Sequence, residues 1–310
     1  MKRLCEERVV IVTGAGRGIG REHALSLAAH GAKVVVNDLG AAVDGSTGAA
    51  GSDLGPAQQV VEEIKAKGGE AVASHDNVSS WEGAERLVNT AVEAFGTLHA
   101  VVNNAGILRD RMLVNMTEQE WDAVIAVHLK GTFAPTHWAA AYWRDQTKAG
   151  KPVVARIINT TSVSGIYGNP GQANYGAAKA GIAAFTQIAA LELGRYGATV
   201  NAVAPVALTR MTEGLGPAPE TEEEREMRSP RWIAPIVTWL ASEESSAVTG
   251  RVFEASGQTL AIAEGWVRGP RHAPVDDPTK LGSIVEELLS KARANSGMNG
   301  DPGGWPQPQV

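Results

Sequence analysis

A chain of 310 residues, 44% of them hydrophobic and 20% charged, has enough apolar side chain for a sizeable core and reads as an ordinary globular protein. Its net charge of −6 leaves no basic footprint for nucleic acid, and no run of about 18 apolar residues marks a membrane span. The one cysteine, Cys5, excludes an internal disulfide, the seven histidines lack metal-ligand spacing, and no apolar leader precedes the first strand, so a cytoplasmic protein without a metal is expected.

The β-branched run Val9–Thr13 predicts a central parallel strand. Gly14-Ala-Gly-Arg-Gly-Ile-Gly20 follows at once, and then a helix over 18–30 with Ala24, Leu25, Leu27 and Ala28 at helical spacing. A glycine-rich turn between strand and helix lets backbone N–H groups approach a pyrophosphate, where the helix dipole favours negative charge. A second strand, Lys33–Asp38, ends on an acid eighteen residues beyond Gly20, close to the distance at which a carboxylate meets an adenosine ribose. Together these point to a dinucleotide. Leu39–Gly55, rich in Gly, Ala and Ser, is a long loop that either covers the adenosine end of the cofactor or is a solvated insert. Further helices are expected over 56–67, 81–95, 118–148 (behind the Thr117-Glu-Gln-Glu120 capping box), 174–196 and 232–241, alternating with strands Glu70–Ser74, Ala100–Asn103, Arg156–Thr160, Thr199–Val203 and Val252–Glu254. Such alternation predicts right-handed crossovers and an α/β fold, a doubly wound, parallel, seven-stranded sheet of Rossmann type in one domain over 1–266, with ligands beyond the carboxyl ends of the strands. Thr209–Ser229 reads as a mobile flap whose glutamate run is a solvated helix face. Residues 267–310 form an extension with one amphipathic helix over 283–294, around Ile284, Val285, Leu288 and Leu289, and a flexible Gly/Pro-rich tail, Ser296–Val310.

Tyr175 and Lys179 are four apart and share one face of a helix, while Ser162 lies thirteen residues before Tyr175, at the end of a buried strand. An ammonium near a phenol lowers its pKa toward a value useful for general-base work, and a serine at that strand end is placed to bond the same alcohol oxygen. A lone Tyr/Lys pair at this spacing is more often a solvated helix face; the rest of the chain argues otherwise.

Thr13-Gly-Ala-Gly-Arg-Gly-Ile-Gly20, Asn103-Asn-Ala-Gly106, Ser162, Tyr175-Gly-Ala-Ala-Lys179 and Asn201-Ala-Val-Ala-Pro205, in this order, resemble the short-chain dehydrogenases/reductases over residues 5–266. Val34-Val-Val-Asn-Asp-Leu-Gly40, Asn103–Arg111, Val127-His-Leu-Lys-Gly131 and Ser164–Tyr175 are most similar to the (3R)-hydroxyacyl-CoA dehydrogenase domain of peroxisomal multifunctional β-oxidation proteins and to bacterial hydroxysteroid dehydrogenases. The resemblance implies an NAD-dependent interconversion of a secondary alcohol and a ketone. Its favoured substrate is a (3R)-3-hydroxyacyl-CoA, with a hydroxysteroid as alternative, and the enzyme would be a homo-oligomer, tetramer or dimer. It implies Tyr175 as base, Lys179 as its pKa-lowering partner and holder of the nicotinamide ribose, and Ser162 as orienting hydroxyl. Gly14, Gly18, Ile19 and Gly20 would lie along the pyrophosphate, Asn77 and Val78 at the adenine, Asn104 near the ribose and nicotinamide, and Thr209 at the carboxamide. Asn103 is expected to brace strands. His128 stands where the family commonly has a catalytic asparagine; it either holds a water linking the lysine to solvent or is a buried histidine bonded to backbone. Arg17 sits where a basic side chain often meets the 2′-phosphate of NADP, and Asp38 opposes it. A nucleotide-binding regulator that has lost turnover is the alternative of another class.

Overall fold

Residues 3–46, 55–213 and 218–303 are described by the computed structural model. Strand β1 (Val9–Thr13) is buried at every position, as a β-branched run flanked by strands on both sides must be. The chain then alternates through α1 (Gly18–Ala29), β2 (Lys33–Asn37), α2 (Pro56–Ala66), β3 (Glu70–Ser74), α3 (Trp81–Phe95), β4 (Ala100–Asn103), α4 (Glu118–Ile125), α5 (Gly131–Lys148), β5 (Ala155–Thr160), α6 (Val163–Tyr167), α7 (Ala173–Leu193), β6 (Ala198–Pro205), α8 (Glu222–Met227), α9 (Ala234–Ala241), β7 (Val252–Ala255), β8 (Leu260–Ala263) and α10 (Leu281–Lys291). The sheet runs in the order β3-β2-β1-β4-β5-β6-β7-β8. One core packs α1, α2 and α9 on one face, and a second packs α3, α5 and α7 on the other. This is the doubly wound arrangement expected. The order reverses at β1, which places the ligand crevice above the carboxyl ends of β1 and β4.

Two expectations need correction, and two further segments are seen in more detail. The sheet has eight strands instead of seven: Leu260–Ala263 turns back and pairs antiparallel with β7. Leu260 and Ile262 are 66% and 52% exposed, so this strand carries no buried alternation to mark it. The helix read over 118–148 is interrupted by a π-type turn at Ala126–Lys130, although its Thr117 capping box is present as expected. The glutamate run of the flap forms α8, capped by Thr221 and exposed over Glu222–Glu226 as a solvated helix face should be, and 214–217 fall outside the described residues. Of the tail expected to be flexible, Ser296–Gly303 forms a closed turn with Gly297 N–H bonded to Asp301 O, and 304–310 lie outside the described residues. Among the described residues no helix is long and apolar enough to cross a membrane.

Candidate active site

The chain leaving β1 makes the glycine turn, and Gly14 and Gly18 adopt positive φ there, at 62° and 53°. A side chain at Gly20 would fall within van der Waals distance of the Gly14 carbonyl, so α1 starts hard against the turn. A Cβ added at Gly18 would stand no closer than 3.6 Å to its nearest neighbour, the Thr209 methyl, and the turn lines a groove of about 860 Å³. Asp38 stands at one end of that groove, Asn77 and Val78 beside it, and Tyr175 and Lys179 at the other end. An acid placed for ribose hydroxyls, bare backbone N–H groups in the middle and a phenol at the far end fit an extended dinucleotide.

Several expected contacts take a more specific form. Both Asp38 oxygens accept backbone bonds, Oδ2 from Gly16 N–H at 2.9 Å and Oδ1 from Gly40 N–H at 2.8 Å. Each oxygen keeps a lone pair for a ribose hydroxyl. The Asn104 amide, expected near the nicotinamide, donates to the carbonyls of Thr13 and Gly14 and so braces the turn. Asn103 bridges Thr136 and Asn159 between strands, as expected. Arg17 is exposed on the groove wall beside Ile19. Thr209, expected at the carboxamide, sits over Gly18, and its hydroxyl accepts from Met211 N–H.

At the inner end, β5 delivers Ser162 as the N-cap of α6, its Oγ accepting from Ser164 N–H at 3.1 Å. The Ser162 hydroxyl also bonds the Tyr175 phenol and lowers its pKa, but burial outweighs this and pushes the phenol above its ordinary value. The Lys179 ammonium lies 5.5 Å from the centre of the Tyr175 ring and donates to Thr160 O at 2.6 Å. Burial brings the Lys179 pKa down from 10.5 to about 7. In the cofactor-free protein, burial thus outweighs the lowering expected of Lys179: desolvation acts on both groups, and it disfavours each charged form. His128, in the π-type turn, is buried, with Nε2 against the backbone of Ile107 (2.7 Å from O, 3.1 Å from N) and its ring edge-on to Tyr175 at 5.1 Å. Its pKa falls to about 3 through burial and the nearby Lys179, which makes it a neutral brace. Of the two readings of His128, the geometry supports the backbone-bonded one.

The family model for the short chain dehydrogenases matches residues 8–220. The chain belongs to this family. It is 46% identical to a hydroxyacyl-CoA dehydrogenase of Mycobacterium tuberculosis, over 91% of this chain and 89% of that one. It is 44% identical to a peroxisomal multifunctional enzyme type 2 of Drosophila melanogaster, over 91% of this chain and 44% of the longer protein. The crystal structure of a short chain dehydrogenase from Mycobacterium avium superposes with a TM-score of 0.84 at 52% identity, covering 95% of this chain and 98% of that one.

Two features of this short-chain dehydrogenase escaped sequence reasoning. Asn174 accepts from Tyr175 N–H at 2.7 Å and donates to Arg109 O and Glu120 O, which ties the start of α7 to the segment leaving β4. Gln172 donates to Asp110 Oδ2 at 2.7 Å and reinforces the same tie. Amide side chains at a helix start are the only local signal, and their partners lie more than 50 residues away.

Proposed function

We propose that this short-chain dehydrogenase interconverts a secondary alcohol and a ketone, with a (3R)-3-hydroxyacyl-CoA thioester as substrate and NAD as cofactor. The observation that carries this reading is the half-buried Tyr175 phenol on the wall of the groove that runs past the glycine turn, hydrogen-bonded by Ser162 and backed by Lys179. When bound, the nicotinamide supplies the hydride acceptor, with the protein fixing position and electrostatics around it. Tyr175 Oη takes the alcohol proton in oxidation and returns it in reduction. Ser162 donates to the substrate oxygen and holds it against the phenol. Lys179, its pKa lowered to about 7 by burial, stands behind the ring and accepts or releases a proton close to ambient pH. The substrate class is supported by the names of two relatives, a hydroxyacyl-CoA dehydrogenase and a peroxisomal multifunctional enzyme type 2. A homo-oligomer is supported by the exposed apolar residues of β8 and of the outer face of α7, Ile188 and Leu191; light scattering reads its mass.

The test is a spectrophotometric screen of 3-hydroxyacyl-CoA thioesters and steroid alcohols with NAD⁺, run on wild type and Tyr175→Phe. We expect thioester-dependent NADH formation that drops by about 10²–10⁴ in the variant, while NADH affinity by fluorescence stays unchanged. Turnover of steroids alone would replace the substrate; NADH binding without turnover of any alcohol would replace the enzyme by a nucleotide-binding regulator.

For the cofactor, Asp38 opposes a 2′-phosphate with a charge at close range, on the order of 4 kcal/mol at an effective dielectric near 20 before screening. Exposed Arg17 offsets part of this, and its long side chain reaches solvent at little cost. NAD is therefore expected to exceed NADP by at least about tenfold in kcat/KM, and Asp38→Ala to narrow or reverse that ratio. Because Asp38 also holds Gly16 and Gly40, the variant should bind both cofactors more weakly. Equal use of both cofactors by wild type would remove Asp38 as the ribose reader.

A further inference from the structure

In the sheet, β1 lies between β2 and β4, so any contact between the chain leaving β2 and the chain leaving β4 must pass over the carboxyl end of β1, where the glycine turn sits. Such a contact exists. Beyond Asp38 the chain reaches across and meets the segment after β4: Leu108 N–H donates to Val43 O at 3.0 Å, and Arg109 Nε donates to Asp44 O at 2.8 Å. Gly45 seats on Ile107, where an added Cβ would stand 3.1 Å from Ile107 Cδ1. The inner side of this crossing, at Ala42, Val43 and Gly45, lines the same groove as Gly14, Gly18 and Lys179.

The tip is built to keep its shape when it moves. Ala42 N–H bonds Ser46 O, Gly45 N–H bonds Ala42 O, and the Asp44 carboxylate takes both the N–H and the hydroxyl of Ser46. Gly40, at φ 77°, is the backbone joint between this tip and the anchored Asp38. Among the described residues, the links that hold the tip down are one backbone bond, one guanidinium bond and the contact with Ile107.

We propose that Ala42–Ser46 is a strap across the dinucleotide groove, latched by Arg109, and that Arg109 is a positioning residue whose release of Asp44 O sets the rate of cofactor exchange. An extended dinucleotide lying on the glycine turn has the strap above it and cannot leave sideways until the latch opens. The latch also reaches the base. The Arg109 carbonyl accepts from Asn174, whose own Oδ1 holds Tyr175 N–H, so the segment that fastens the strap is the one that fastens the start of α7. A closed strap therefore coincides with an aligned phenol. The proposal rests on the dinucleotide-dependent dehydrogenase reading.

The test uses the full chain and Arg109→Ala, with Arg109→Lys as the conservative control. Stopped-flow displacement of NADH should show release about tenfold faster in Arg109→Ala, the loss expected for one charge-assisted hydrogen bond, and largely restored in Arg109→Lys. In the cofactor-free protein, hydrogen exchange at the Leu108 amide should quicken in Arg109→Ala, while β1 and β4 amides keep their protection; this readout is independent of turnover. NADH release and Leu108 exchange that are both unchanged in Arg109→Ala would overturn the strap and leave the dehydrogenase reading standing. A wild-type chain that binds no NADH would overturn both.

Discussion

A lysine ammonium sealed beside a phenol is held there against its own solvation. Lys179 is 3% exposed, and its ammonium donates to Thr160 O. Its pKa is about 7 in the folded chain and 10.5 when unperturbed. Between those two values the unfolded chain binds the proton more tightly, so this group's contribution to stability rises with pH from about 7 to about 10.5, and below 7 its full penalty is felt. Lys179→Met should therefore abolish turnover and yet stabilise the fold at pH 7 by on the order of 1–3 kcal/mol, part of the gain being lost to the orphaned Thr160 carbonyl. Urea unfolding at pH 7 and pH 10 checks this, because the gain must shrink at the higher pH; a variant less stable at pH 7 would refute the buried-charge argument. At this scale the sequence identified the groups and misjudged their energetics. Spacing put Ser162, Tyr175 and Lys179 together, whereas the direction of the Tyr175 shift depends on the burial of its phenol, which no spacing reports.

Between α4 and α5 the helix takes in an extra residue, and that π-type turn brings His128 onto the backbone of Ile107. Gly106 makes room for it: a Cβ there would overlap His128 Cε1. Gly106→Ala must therefore push a ring that is pinned on one side by Ile107 and on the other by the edge of Tyr175. The expected cost is about 1–3 kcal/mol of stability, with a fall in kcat. Thermal melts and kinetics on the same preparation check both; an unshifted melting temperature with full activity would show that the turn gives way freely. The capping box that starts α4 was legible because its partners, Thr117 and Glu120, are three residues apart. The π-type turn was not, because it is stabilised by Ile107, twenty-one residues away. The eighth strand was hidden for a related reason: with Leu260 and Ile262 exposed, nothing in its pattern marks a pairing with β7.

Across the whole molecule, burial is complete well before the chain ends. Among the described residues the last buried hydrophobic side chain is Ala255, and α10 buries none of its residues, leaving Leu281, Val285 and Leu289 at 44%, 44% and 67% exposure. Contacts of the extension with the body among the described residues include the exposed Arg293–Glu264 pair at 3.4 Å and Gly300, which lies against Tyr167. Exposed pairs of this kind contribute little to stability. Tyr167 is held from the other side by Glu254 at 2.5 Å, within the body itself. The dinucleotide groove is likewise lined from Gly14 to Thr212, with no residue of the extension among the described lining. A chain ended at Trp266 should therefore fold, melt within about 2–4 °C of the full-length protein, as a loss of no more than about 1 kcal/mol requires, and bind NADH with unchanged affinity. Thermal denaturation and NADH fluorescence titration on the two chains measure this. If the shortened chain failed to fold, residues 267–310 would belong to the domain and the boundary at 266 would be wrong. If it folded but lost NADH, the extension would be shaping the groove from a distance, which its exposed helix gives no means of doing.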